Sequence, residues 1–535
     1  MKIEQSQNIL NWYNFNDKQD VLEVGLNNEK ITELLNQKCK SVITIKANKD
    51  SLNEIKDKKF DIITLIGIEE SLKKDSEESI KLIELLNLLN FKLKENGKIL
   101  LAVDNKFGIR FFAGNPEKIL NKKFESLIGY NNEFSKIETF TKKYLENLLI
   151  KNGYKFYFYY PLPDYKIPNV IFTDRQLPNY TSIDKYNPYF TEKSDILINE
   201  IDVFREILKT DENMFTFFAN SFLIEISKSD VNKKYKYISF NNIRKEEYQL
   251  ITKITDEYVE KDIVSEKATI HYNNIKYNLK ILESNNIKTV DYIENEIIKS
   301  RYVNQDYMLN NVLARFLEQG DKESFFEILD RYILLISKNA YIENDYEKTA
   351  FAKYGIEVDS DIIKKMHFVK NCLWDMTFKN CFYVNDEFLF FDQEWNEENL
   401  PYEYILYRSI FYTISLRRFL NIEELFKKYN LECYIDVFKK LDDKLQKKIR
   451  NNEVWNFYSQ NCYFDIDATK QEIINLNKRS EAQIGAIKNL KKENELLTNE
   501  NQEINRKNQE LIEENIRLIN QKFSTKIKRL FKTKN

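Results

Sequence analysis

"LWDMTFKNCFYVNDEFLFFDQEW", residues 373–395, sets an aspartate (Asp375), an asparagine five residues on (Asn380) and a second aspartate (Asp392) around an alternating apolar run. CFYVNDEFLFF reads as strand, two-residue Asn385-Asp386 turn and strand, which brings Asp392 beside Asn380. Phosphoryl transfer needs a carboxylate to orient an acceptor hydroxyl and further oxygen ligands for magnesium. Asp375, Asn380 and Asp392 offer oxygen atoms of the kind such a site needs. The plainer reading is a hairpin with polar ends, since such spacings arise easily in an Asn-rich chain.

Outward from this stretch the chain divides into three regions. Residues 1–228 alternate strand-like runs, VLEVGL (21–26), SVITIKA (41–47), FDIITLIG (60–67) and GKILLAVD (97–104), with helical patterns such as EESIKLIELLNLLNFKLKE. That alternation predicts an α/β, mostly parallel, doubly wound sheet. KFYFYYPLP and MFTFFANSFLIEIS are expected to close it as antiparallel strands. Residues 229–465 open with three strand candidates (KYKYISF, EYQLITKI, EYVEKDIV) and a helix from about Ser265. Two short strands are expected near 287 and 298, then mostly helix, an α+β pattern.

Residues 466–521 carry Leu490, Leu497, Ile504, Leu511 and Leu518 every seventh position, with Asn494, Asn501, Asn508 and Asn515 on the other seam. This predicts a coiled coil whose Asn layers pin its register; a solvated single helix is the alternative. Residues 522–535 set Phe523, Ile527, Leu530 and Phe531 on one face amid Lys and Arg. The pattern is that of a basic amphipathic membrane anchor, or of a frayed coiled-coil end.

With 535 residues, two or three domains are expected, and 42% hydrophobic and 14% aromatic residues are ample for their cores. A net charge of −2 gives no sign of nucleic acid as a partner. Five cysteines without a CxxC pair, and only two histidines, argue against a zinc site and for a reducing cytoplasm. No run of eighteen apolar residues is present, and the N-terminus lacks the order of a signal peptide.

VLEVG followed by a helix is where a Rossmann-like methyltransferase fold places its cofactor loop. Glu23, Gly25 and Asp61 are the candidate contacts for S-adenosylmethionine there. The turn after Gly25 continues Leu26-Asn27-Asn28-Glu29 without further glycines, and Lys46 stands where a ribose-binding acid is expected. DNKFGIRFFAG (104–114), IGY (128–130) and FYYPLPDYKIPNVIFTD (158–174) resemble the methyltransferase domains that accompany surface-polysaccharide synthesis. A retained fold without methyl transfer is the expectation, with an active enzyme bearing a divergent loop as the alternative.

FFDQEWNEENLPYEYILYRSI (390–410) resembles the segment after the kinase motif in bifunctional methyltransferase/kinase proteins that terminate O-antigen chains. The order of parts in that family, methyltransferase, kinase, coiled coil and basic tail, is the order here. The resemblance implies a protein-kinase-like fold over 229–465, with ATP and Mg2+ as cofactors. It implies Asp375 as the catalytic Asp, Asn380 and Asp392 on magnesium, and Lys261 on the ATP phosphates; Glu266, opening the next helix, is the candidate partner of that lysine. Three positions depart from kinases: Leu373 two before Asp375, a glycine-free loop SFNNIRKEE (239–247), and Gln-Glu after Asp392. The implied protein is bacterial and cytoplasmic, peripheral at the inner face of the cell membrane. It would phosphorylate a lipid-linked glycan beside a glycosyltransferase or polymerase partner, as a homo-oligomer, a trimer by resemblance. A non-catalytic scaffold that organises glycosyltransferases is the competing expectation.

Overall fold

The computed structural model describes residues 6–25, 29–55, 57–68, 81–117, 121–129, 140–188, 197–294, 297–459 and 466–532. Four strands, β1 (Asp20–Val24), β2 (Ser41–Ile45), β3 (Phe60–Ile66) and β4 (Leu93–Asp104), pair in parallel in the order β2-β1-β3-β4. Parallel strands need both faces covered, and the sequence supplies apolar residues at consecutive positions. In β1, Val21 turns to one face and Leu22 to the other, as strand geometry requires. Helix α1 (Glu29–Lys38) covers the Val21 face through Ile31, Leu34 and Leu35. Helix α2 (Leu82–Asn90) covers the Leu22 face through Leu82, Leu85, Leu86 and Leu89. The sheet is therefore doubly wound, as the alternation predicts.

Two details differ from the sequence reading. The expected helix ends at Asn90, and Leu93 already enters β4, because the carbonyl of Lys92 accepts the amide of Phe60. MFTFF (214–218) is a short helix, and only Ser221–Ser227 is strand.

Beyond β4 the sheet continues antiparallel. β5 (Lys155–Leu162), β6 (Val170–Thr173) and β7 (Ser221–Ser227) follow in the spatial order β4-β7-β5-β6. β6 then pairs with β8 (Tyr237–Phe240), so one sheet runs through residue 228 without a break. β9 (Leu250–Ile254) and β10 (Tyr258–Ile263) extend it, with β12 (Ile298–Arg301) and β11 (Tyr292–Glu294) at the edge. The strand expected near 287 is this β11, displaced toward 292. Helix α3 (Thr269–Ser284) starts after a short 3-10 turn at Glu266–Ala268 and packs Ile275, Leu279 and Leu282 inward.

The remaining part is mainly helical. α4 (Leu309–Glu318), α5 (Lys322–Ile336), α6 (Tyr402–Phe411) and α7 (Ile435–Ile449) share a core with Phe378, Phe390, Tyr404, Tyr407 and Phe438. β13 (Phe368–Cys372) and β16 (Glu397–Pro401) pair at its margin. β14 (Cys381–Val384) and β15 (Glu387–Phe390) form the hairpin read from the sequence. Its turn residues Asn385 and Asp386 have φ of 49° and 62°, the two left-handed residues of a type I′ turn.

Residues up to Tyr463 form one compact unit and those from Phe464 a second. The second holds one helix, α8 (Ile466–Lys532), on which Leu490, Leu497, Ile504, Leu511 and Leu518 are all exposed on the single chain. The helix continues into the basic tail; the side chains of Leu530 and Phe531 lie outside the described residues. Among the described residues no helix is long and apolar enough to cross a membrane.

Candidate active site

The stretch 373–395 is held by the helical core. Phe378 is fully buried, and the buried hydroxyl of Tyr332 donates to the Met376 carbonyl at 2.5 Å. The Asp375 carbonyl collects three donors: the Thr377 amide at 2.7 Å, Asn380 Nδ2 at 3.0 Å and Gln393 Nε2 at 3.2 Å. Asn380 returns the connection, its carbonyl accepting the Phe391 amide at 3.0 Å. The loop bearing Asp375 and the strand end bearing Asp392 are thus locked together by main-chain bonds. Asp392 itself has φ of 56°, a left-handed conformation that Asp adopts more readily than most residues, which turns its carboxylate back toward β10.

There it meets Lys261. The Lys261 ammonium, from β10, donates to Asp392 Oδ1 and, at 2.5 Å, to Glu394 Oε1. Glu394 is also bonded by Arg244, from the loop between β8 and β9, and lies 3.3 Å from His271 Nε2 on α3. Glu394 and His271 are both nearly inaccessible. Burial works against the Glu394 charge, but Arg244 and Lys261 hold its carboxyl well below the usual range. Asp392 goes the other way: burial pushes it up to about 6, against the attraction of Lys261. Burial also raises Asp375, with Arg408 Nη1 opposing from 3.3 Å.

Lys261, Asp375, Asn380 and Asp392 are therefore brought to one region. Glu266 is not: it is exposed in the 3-10 turn before α3, while Lys261 takes its carboxylate from Glu394. The reason is register, since the first turns of α3 present His271, not an acid, to the cluster. Glu394, Arg244 and Lys379 were missed by sequence reasoning. The Gln-Glu after Asp392 was the available signal for Glu394; Arg244 and Lys379 had none in a chain with 82 Lys and Arg residues. His271 packs, its ring stacking on Trp395 at 4.5 Å, and also faces Glu394. Trp374 packs on Trp395, with ring centroids 5.9 Å apart.

Two cavities adjoin the cluster. One, of about 220 Å³, is walled by apolar groups including Ile254, Val259, Ile298, Phe382 and Phe391, with Lys261 and Asp392 at its polar end. The other, of about 210 Å³, holds Asp375 and Asn380 among hydroxyl, amide and cationic side chains. Lys379 lines both.

In the doubly wound part, Gly25 ends β1 at the point where the chain connections reverse, the place where open α/β sheets bind ligands. Its φ is +117°, and a Cβ there would stand 3.2 Å from the Ile66 carbonyl. The turn residues 26–28 lie outside the described residues. Glu23 is buried, and its Oε2 accepts from both Thr32 Oγ1 at 2.7 Å and Thr44 Oγ1 at 3.0 Å. Asp61 sits at the opposite end of the sheet from Gly25: it is the second residue of β3 and pairs with Lys94 at 2.6 Å. A strand's first residues point away from the crevice at its carboxyl end, which removes Asp61 from any site built at Gly25.

No protein-family model matches the chain, and neither does any curated protein. Solved structures that it resembles include a SAM-dependent methyltransferase from Archaeoglobus fulgidus, at 17% identity over 40% of this chain and 87% of the other, TM-score 0.24. A possible histamine N-methyltransferase from Thermotoga maritima matches at 12% identity over 42% and 89%, TM-score 0.22. A cyclopropane synthase from Mycobacterium tuberculosis matches at 13% over 42% and 81%, TM-score 0.23. At such scores the Rossmann-like fold rests on the strand order β2-β1-β3-β4-β7-β5 and on the helices covering both faces.

Proposed function

We propose that this chain is an Mg-ATP-dependent phosphotransferase that modifies the end of a lipid-linked glycan at the inner membrane face. The observation that carries the phosphotransfer is the meeting of Lys261 and Asp392 at the polar end of an apolar cavity, next to the loop of Asp375 and Asn380. The apolar cavity suits a nucleotide base, and Lys261 suits its phosphates. Asp375, on the facing cavity, would accept the proton of an acceptor hydroxyl as its oxygen bonds to the γ-phosphorus and the bond to the ADP oxygen breaks.

Asp392 and Asn380 would hold magnesium. Asn380 spends its amide N–H on the Asp375 carbonyl, which leaves Oδ1 outside that bond. Among the described residues no group of three or more His, Cys, Asp or Glu forms a metal cage. Magnesium needs none, since it commonly takes one or two side chains together with phosphates and waters. Bound there, it would neutralise charge on the phosphate oxygens.

The doubly wound part is proposed as a methyltransferase fold that keeps the architecture; S-adenosylmethionine, if bound, would sit at the Gly25 end of β1. The glycine-free turn after Gly25, and Lys46 where a ribose-binding acid is expected, favour a fold without methyl transfer. The exposed stripe of α8 is proposed to pair with other copies of the chain, a trimer by resemblance, and the basic end to meet the membrane.

The test is calorimetry of Mg-ATP on the full chain and on Asp392→Ala. Magnesium-dependent binding by the wild type, lost in the variant, is expected. Absence of binding in both would leave the scaffold reading in its place.

A further inference from the structure

The cavity beside Asp375 has a charge balance that an uncharged sugar does not call for. Three cations, Lys379, Arg408 and Arg450, line it against one carboxylate, Asp375. Arg408 is committed: it meets Asp375 at 3.3 Å and Asp442 at 3.2 Å, and its guanidinium lies 4.3 Å from the centre of the Trp374 ring. The other two are not. Among the described residues neither Lys379 Nζ nor the Arg450 guanidinium has an ion-pair partner; their side chains lie over aromatic rings, Tyr412 at 5.7 Å and Trp455 at 4.1 Å. Burial lowers Lys379, and Arg408 and Lys185 lower it further against the single opposing pull of Asp375, so the local field is positive. The rest of the lining, Ser409, Thr413 and Gln446 among it, offers polar atoms suited to hydroxyls.

Lys379 also borders the apolar cavity, so this one cation is shared between the two. Arg450 borders only the cavity of Asp375. A guanidinium with no carboxylate partner among the described residues suits a carboxylate or phosphate.

We propose that the acceptor carries an anionic group, a phosphate or a carboxylate, beside the hydroxyl offered to Asp375, and that Arg450 binds that group. The proposal rests on the phosphotransfer reading for the role of Asp375, but the anion site is judged separately.

The experiment titrates inorganic phosphate, glucuronate and glucose into the full chain in the presence of magnesium and a non-hydrolysable ATP analogue. The analogue fills the transferred-phosphate position, so an anion that still binds occupies the acceptor cavity. Saturable binding of phosphate or glucuronate at least tenfold tighter than glucose is expected, weakened about tenfold in Arg450→Gln and partly restored in Arg450→Lys. Phosphate binding that the analogue abolishes would assign the cations to the nucleotide and overturn the proposal. Equal affinities for glucuronate and glucose with no phosphate binding, or an unchanged Arg450→Gln, would overturn it too. If the analogue itself fails to bind, the phosphotransfer reading falls, and the same titrations without nucleotide still decide whether Arg450 holds an anion.

Discussion

Glu394 Oε1 lies 2.5 Å from the Lys261 ammonium across 133 residues of sequence. Glu394, not the exposed Glu266, holds the lysine that faces the apolar cavity. The same carboxylate is bonded by Arg244 and faces His271, so one buried anion ties β10, the β8–β9 loop and α3 to the strand end at Asp392. The position of Lys261 is set by a segment adjoining the metal-ligand candidate rather than by a helix that must swing in.

Glu394→Gln keeps the shape and removes the charge, which leaves Arg244 and Lys261 short of an anion in a buried place. Breaking a buried pair by removing one partner costs about 3–5 kcal/mol. Urea unfolding should show a loss of that order, and Mg-ATP affinity should fall with it. A loss under about 1 kcal/mol would mean that the cluster is solvated and does not position Lys261.

Asp392 gives the site a pH dependence. Its folded value of about 6 lies above the ordinary 3.8 because burial disfavours its charge. A raised carboxyl contributes stability below pH 3.8 and loses that contribution as pH rises through 6. Magnesium requires the ionised form, so metal-dependent ATP affinity should run in the opposite sense, weakening about tenfold per pH unit below 6. Calorimetry between pH 5 and 8 checks this; a flat profile would place Asp392 outside the metal site.

Gly25→Ala adds a Cβ at a φ of +117° and 3.2 Å from the Ile66 carbonyl. A non-glycine residue in such a conformation costs about 1–3 kcal/mol. Chemical denaturation should show a loss in that range. Equal stability would show that the end of β1 can rearrange.

The proposed oligomer rests on α8. Deleting residues 466–535 should give a monomer by sedimentation. On the full chain, charges placed in two layers of the apolar stripe, Leu497→Asp with Leu511→Asp, should weaken assembly without altering nucleotide binding. An assembly unchanged by the deletion would move the interface elsewhere.

The doubly wound α/β part, the long C-terminal helix, the hairpin with its Asn385-Asp386 turn and the nearness of Asp375, Asn380 and Asp392 were legible in the sequence. All depend on local order: hydrophobic periodicity, the left-handed preference of Asn and Asp, and short spacings that a hairpin converts into proximity. The choice of Glu394 over Glu266, the entry of Arg244 and the burial that raises Asp392 were decided only by the tertiary structure. So was the run of one sheet across residue 228, through the pairing of β6 with β8. With 82 basic and 84 acidic residues, composition leaves many possible partners for any one lysine. Long-range packing selects among them, because an ion pair out of water persists only where the surrounding core holds both charges in place.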